Sequence, residues 1–176
     1  MISIFKRKMS TEDYAENLYD LTRNLTLSLV KDKETLINLG FAEANQNLVE
    51  LHCFQYIMYR TNLILWTKLD DELLYGDVSK QYYSLCTEFI TQYIYYNSQE
   101  LNNNYSTGKK LFAEFDNILK DNYHERIRVI NAQMICLYQF IRGNNPTLEE
   151  RIYSLSLALE IENQLLELIN SLEEEL

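Results

Sequence analysis

Apolar residues along this chain recur every three or four positions almost from end to end, the period that gathers them on one face of an α-helix. Tyr14, Leu18, Leu21, Leu25 and Leu29 form the first stripe. Ser10 or Thr11 can cap its start, and Glu12 and Asp13 fill its first turn, where the helix dipole favours acids. Residues 31–34 predict a break or a bend. The longest seam follows, through Phe41, Ala44, Leu48, Leu51, Gln55, Met58, Asn62, Leu65 and Leu69, with Phe54, Ile57 and Ile64 beside it. So wide an apolar face predicts a helix packed on more than one neighbour. Gly40 marks the start or a kink, and Asp70, Asp71, Glu72 and Gly76 mark the end of this region.

Val78, Tyr82, Leu85, Phe89, Tyr93 and Tyr96 predict a third helix. Residues 101–108 are polar and aperiodic and read as a loop. Leu111, Phe115, Ile118 and Leu119 predict a shorter helix that breaks near Asp121 and Asn122. Tyr123, Ile127, Ile130, Met134, Leu137 and Ile141 then continue, as a new helix or as the same one bent. Gly143, Asn144, Asn145 and Pro146 are a strong stop, a C-terminal glycine followed by proline. Asn145 or Thr147 can cap the last helix, whose buried stripe reads Leu148, Ile152, Leu155, Leu159, Leu166 and Ile169.

The pattern therefore predicts an all-α fold, a single bundle of five or six mostly antiparallel helices. Residues 1–10 read as a loose basic segment and 11–176 as one domain. Composition agrees: four glycines and one proline in 176 residues leave too few turn residues for an all-β fold. No helical repeat divides the chain. The many Asn, Ile, Lys and Tyr residues have AT-rich codons and point to a low-GC microbe. A basic start (Lys6, Arg7, Lys8) leading into an acidic, capped helix resembles many small bacterial proteins. That resemblance covers only the first helix and implies no activity.

The net charge of −10 disfavours nucleic acid, whose phosphates such a surface repels. It leaves a basic partner possible, with the glutamate-rich last helix as one contact region. Cys53, Cys86 and Cys136 are sparse, odd in number and set within apolar stripes, which suits buried, inert thiols in the reducing cytoplasm. The start of the chain lacks the apolar core of a signal peptide, and no apolar run is long enough for a transmembrane segment.

Candidate chemistry is thin. Glu-x-x-His, which a ferritin-like di-iron site needs twice, is absent. His52 and Cys53 are adjacent and diverge by about 100° on a helix. His124 reads as a polar residue near a helix start. Thr107, Gly108, Lys109 and Lys110 lack the earlier glycine and the strand of a phosphate-binding loop. No catalytic residue, metal-ligand set or cofactor is expected. Two constellations remain. Tyr82, Tyr83, Tyr93, Tyr95 and Tyr96 surround one helix on several faces and suggest an interaction surface, since tyrosine joins an apolar ring to a polar tip. His52, Gln55, Arg60 and Asn62 interrupt the longest seam and either satisfy one another or line a polar pocket. The leading expectation is thus a binding or regulatory protein that acts through a protein partner or through self-association, a homodimer included. The alternative is a bundle that holds a small ligand in its core, and an enzyme of unfamiliar type comes third.

Overall fold

The computed structural model describes residues 9–97, 101–122 and 124–173, with side chains for 9–92, 109–122 and 124–172. Seven helices run through them: α1 (Thr11–Lys31), α2 (Lys33–Asn38), α3 (Gln46–Lys68), α4 (Glu72–Asn97), α5 (Leu101–Asn122), α6 (Arg126–Arg142) and α7 (Leu148–Glu173). They pack on one another as an all-α bundle. The count exceeds five or six because the expected break at 31–34 holds a short helix, α2.

The helix ends follow from capping chemistry. Ser10 Oγ accepts the Asp13 amide at 3.1 Å while Asp13 Oδ2 takes the Ser10 amide at 3.3 Å, a reciprocal capping box that satisfies two otherwise orphaned donors. Asp32 closes α1 and opens α2 by accepting the Glu34 amide at 3.1 Å and the Thr35 hydroxyl at 2.6 Å. Gly143 ends α6 at φ 74°, a left-handed conformation that costs glycine no Cβ clash. Thr147 and Glu150 form a second capping box at the head of α7, at 2.7 and 3.3 Å.

The centre of the bundle is α3, which touches α1, α4, α5, α6 and α7. Every residue from Val49 to Thr61 is buried, so this helix is covered all round, as its wide apolar face predicts. Large side chains from five helices meet there, among them Tyr14, Phe54, Tyr82, Phe115 and Tyr138. Phe54 packs tilted on Phe89 with centroids 4.8 Å apart, and Tyr59 meets Phe115 edge-on at 5.2 Å. Full burial of an aromatic ring contributes about 1.5–3 kcal/mol, so these contacts fix where α4 and α5 lie on α3.

Three features depart from the pattern. Residues 101–108 are the first two turns of α5, not a loop. A polar stretch without proline has nothing that forbids helix. Gly76 lies inside α4 rather than ending a region. The third concerns α7. Its buried row is Ser154, Ala158, Ile161, Leu165, Ile169 and Leu172. Of the stripe expected to be buried only Ile169 is; Leu148 is 71% and Ile152 63% exposed, and Leu155, Leu159 and Leu166 are half-buried. The helix carries two apolar stripes about 100° apart, and the bundle covers the other one.

Candidate functional site

The open stripe of α7 faces the first turns of α6. Between them runs a groove of about 910 Å³, floored by Ile127, Leu148, Ile152, Leu155 and Leu159. Ile127 is 61% exposed, although it lies on the helical stripe of Ile130, Met134, Leu137 and Ile141, all of which are buried. Leu148, Ile152, Leu155 and Leu159 follow one another at spacings of 4, 3 and 4, the a/d rhythm of a helix that receives another helix. The rim is basic. Arg126, Arg128 and Arg151 line the groove with Glu125 as the one acid. Arg128 pairs with Glu125 at 3.0 Å, both well exposed. The Arg151 Nε is buried with no hydrogen-bond partner among the described residues.

Arg126 also walls a second feature. Its Nη2 and Nε reach Glu162 Oε2 at 2.6 and 2.8 Å. Glu162 is 1% exposed and also pairs with Arg60, itself 4% exposed. Arg60 Nη1 donates to Gln133 Oε1 at 3.1 Å. This triad lines a cleft of about 300 Å³ together with Leu63, Trp66, Leu119, Val129 and Leu166. An adjoining cleft of about 360 Å³ shares Leu63, Trp66 and Leu119 with it and is otherwise lined by Tyr59, Asn62, Tyr75, Tyr83 and Asp116. The Tyr59 hydroxyl donates to Asp116 Oδ1 at 2.8 Å. Burial first, and that hydrogen bond second, push the Tyr59 pKa up, so the phenol stays a donor.

The polar residues of the long seam do not converge on one pocket. His52 Nδ1 meets Gln55 Oε1 at 2.9 Å, and its ring lies edge-on to Phe140. Burial lowers the His52 pKa against the opposing Gln55 contact, leaving the ring neutral near pH 7. Asn62 takes the Ser79 hydroxyl at 2.7 Å and donates to Tyr75 at 3.2 Å. Arg60 and Asn62 stand about 200° apart around α3, so one serves the triad and the other faces α4. These are three separate polar contacts, of which the Arg60 and Asn62 sites border the two clefts.

The tyrosine surface is likewise divided. Tyr82 is fully buried, its hydroxyl 2.7 Å from Thr22 Oγ1, and it offers nothing to a partner. Tyr83 is half-buried and walls the second cleft. The side chains of Tyr93, Tyr95 and Tyr96 lie outside the described residues. The three cysteines are free and buried. Burial pushes Cys53 and Cys86 up to about 12 and Cys136 up to about 11, far above the range of a nucleophilic thiol. Among the described residues no three His, Cys, Asp or Glu side chains gather as metal ligands, and no helix is long and apolar enough to cross a membrane.

Sequence reasoning named the last helix as a contact region but not the groove that it forms with the start of α6. The signal was present: α7 carries more apolar residues than one face can hold, and Arg126, Arg128 and Arg151 are concentrated in an otherwise acidic chain. Comparison of the chain with family models, with characterised proteins and with solved structures finds no match.

Proposed function

We propose that the protein is a binding module whose α6–α7 groove receives an amphipathic, acid-flanked helix of a partner protein. The observation that carries this reading is the exposed row Ile127, Leu148 and Ile152 under an arginine rim. Exposed apolar patches of this kind mark interaction surfaces. The a/d spacing selects a helix as the occupant, docked as knobs into the holes of α7. Charge selects its flanks. Arg128 is paired with Glu125 and Arg126 with Glu162, which leaves Arg151 as the rim cation with no acidic partner among the described residues, in a chain of net charge −10, so an acidic helix is both steered to the groove and paired at its rim.

A second copy of the chain fits less well. A two-fold contact brings each patch against itself and would set Arg126, Arg128 and Arg151 near their own copies. Like charges facing each other across an interface are destabilising.

Fluorescence anisotropy of a labelled synthetic peptide tests the reading, with leucines at a and d and glutamates at the flanking positions. Saturable binding is expected that weakens with added salt and falls at least about tenfold in Ile152→Asp, since a buried aliphatic anchor contributes about 1.5–3 kcal/mol. Binding no tighter than that of a peptide with the same residues in scrambled order contradicts it. A dimer by light scattering that Ile152→Asp dissociates would replace the partner helix by a second copy.

A further inference from the structure

We infer that the cleft beside Arg60 binds a small monocarboxylate with an apolar body. This site is distinct from the α6–α7 groove and does not depend on the reading of that groove, although Arg126 borders both.

Charge balance comes first. Arg60 and Arg126 share the single carboxylate of Glu162. The triad therefore holds one positive charge more than it neutralises, in the wall of a cleft whose remaining lining is mostly leucine, isoleucine, valine and tryptophan. Arg60 is 4% exposed, and its Nε carries an N–H with no hydrogen-bond partner among the described residues. A buried, unmatched donor on a cation is costly by itself. A carboxylate in the cleft would supply the missing negative charge beside the two guanidinium groups, in a low-dielectric setting. Arg126 is the adaptable member. Its side chain is 53% exposed, so it can turn from Glu162 toward a ligand without leaving water.

The apolar part of the ligand follows from the walls. A volume of about 300 Å³ lies at the low end of small-molecule sites, suited to one ring or a medium alkyl chain. Trp66 is 57% exposed and stands between this cleft and its neighbour, where its indole can cover that body. One surplus charge matches a monoanion. A dianion would remain half unpaired, and a cation would be repelled.

Trp66 is the only tryptophan in the chain, so its emission reports on the cleft without a label. Octanoate, octanol and octylammonium share a tail and differ in the head. Octanoate is expected to change Trp66 emission saturably, octanol to bind about tenfold to a hundredfold more weakly, the worth of a hydrogen bond to a charged group, and octylammonium not to bind. Arg60→Met should reduce octanoate to the affinity of octanol. Leu166→Phe narrows the cleft with Arg60 intact and should weaken octanoate and octanol together. If Arg60→Met fails to fold, as judged by circular dichroism, the ratio of octanoate to octanol affinity in the native protein decides the head group and Leu166→Phe decides the cleft. Equal binding of octanol and octanoate, an unchanged octanoate affinity in folded Arg60→Met, or no saturable change would each overturn the assignment.

Discussion

Glu162→Gln removes one charge from the interior and leaves the side-chain shape almost unchanged. In the native protein Glu162 is 1% exposed and holds both Arg60 and Arg126. Without its charge, Arg60 stays buried with only neutral amide oxygens as acceptors, that of Gln133 and that of the introduced amide. Breaking a buried pair from one side costs about 3–5 kcal/mol, because the surviving ion has lost its solvent and its partner together. A domain of this size is stable by about 5–15 kcal/mol, so the variant should retain its fold but lose a large share of its margin. At about 2–4 °C per kcal/mol for chains of 150–250 residues, the melting temperature should fall by roughly 6–20 °C. Two companions isolate the cause. Arg126→Ala removes the half-exposed partner and should cost no more than about 1 kcal/mol, the range of solvent-screened pairs. The double substitution Arg60→Met with Glu162→Leu replaces the buried pair by apolar groups and should recover most of the loss. Urea unfolding followed by circular dichroism measures all four proteins. A Glu162→Gln loss below about 1 kcal/mol, or a double variant as unstable as the single one, would refute the reasoning.

Other consequences are as specific. Gly40 stands at φ 67°, and a Cβ there would run into the Glu150 carboxylate and the Arg142 guanidinium. Gly40→Ala should therefore cost at least about 1–2 kcal/mol from the left-handed backbone alone, read as a lower urea midpoint. Burial raises the Glu150 pKa, but the Arg142 and Thr147 hydrogen bonds outweigh it and leave the pKa lowered. Its stabilisation is thus present above the ordinary glutamate range and lost as pH falls through the folded value, a loss that Glu150→Gln should remove from the acid limb. His52 titrates below its ordinary value of 6.5 because it is buried. The unfolded chain then binds more protons, and stability should rise with pH through that range; His52→Phe should flatten the slope between about pH 5 and 7. Cys53, Cys86 and Cys136, buried and with raised pKa values, should resist iodoacetamide at neutral pH until the protein unfolds. Rapid native alkylation seen by mass spectrometry would contradict that burial.

The helices were legible because burial imposes a period. The seam through Leu51, Met58 and Leu65 and the stripe of Ile130, Met134, Leu137 and Ile141 lie where the 3.6-residue repeat puts them. The stop at Gly143 and the cap at Thr147 were legible from local chemistry, which needs no tertiary partner. What the pattern could not give was the choice between equivalent faces. On α7, Leu148, Ile152, Leu155 and Leu159 make as good a stripe as Ala158, Ile161, Leu165 and Ile169. Only the neighbours supplied by α1, α2, α3 and α6 decide which is covered. The same limit hid the triad. Arg60, Arg126 and Glu162 are far apart in sequence, and nothing local in any of them signals the other two. Arg60 and Asn62 looked like one polar pocket because they are close in sequence, but the helix turns them to opposite sides.

The reading of the α6–α7 groove is tested most directly by methyl NMR of the Ile- and Leu-labelled protein, titrated with the acidic amphipathic peptide. The groove account predicts shifts concentrated at Ile127, Leu148, Ile152 and Leu155, with Ile37, 64% exposed but outside the groove, unmoved. Shifts spread equally over Ile37 and the groove methyls, or none at all, would contradict it.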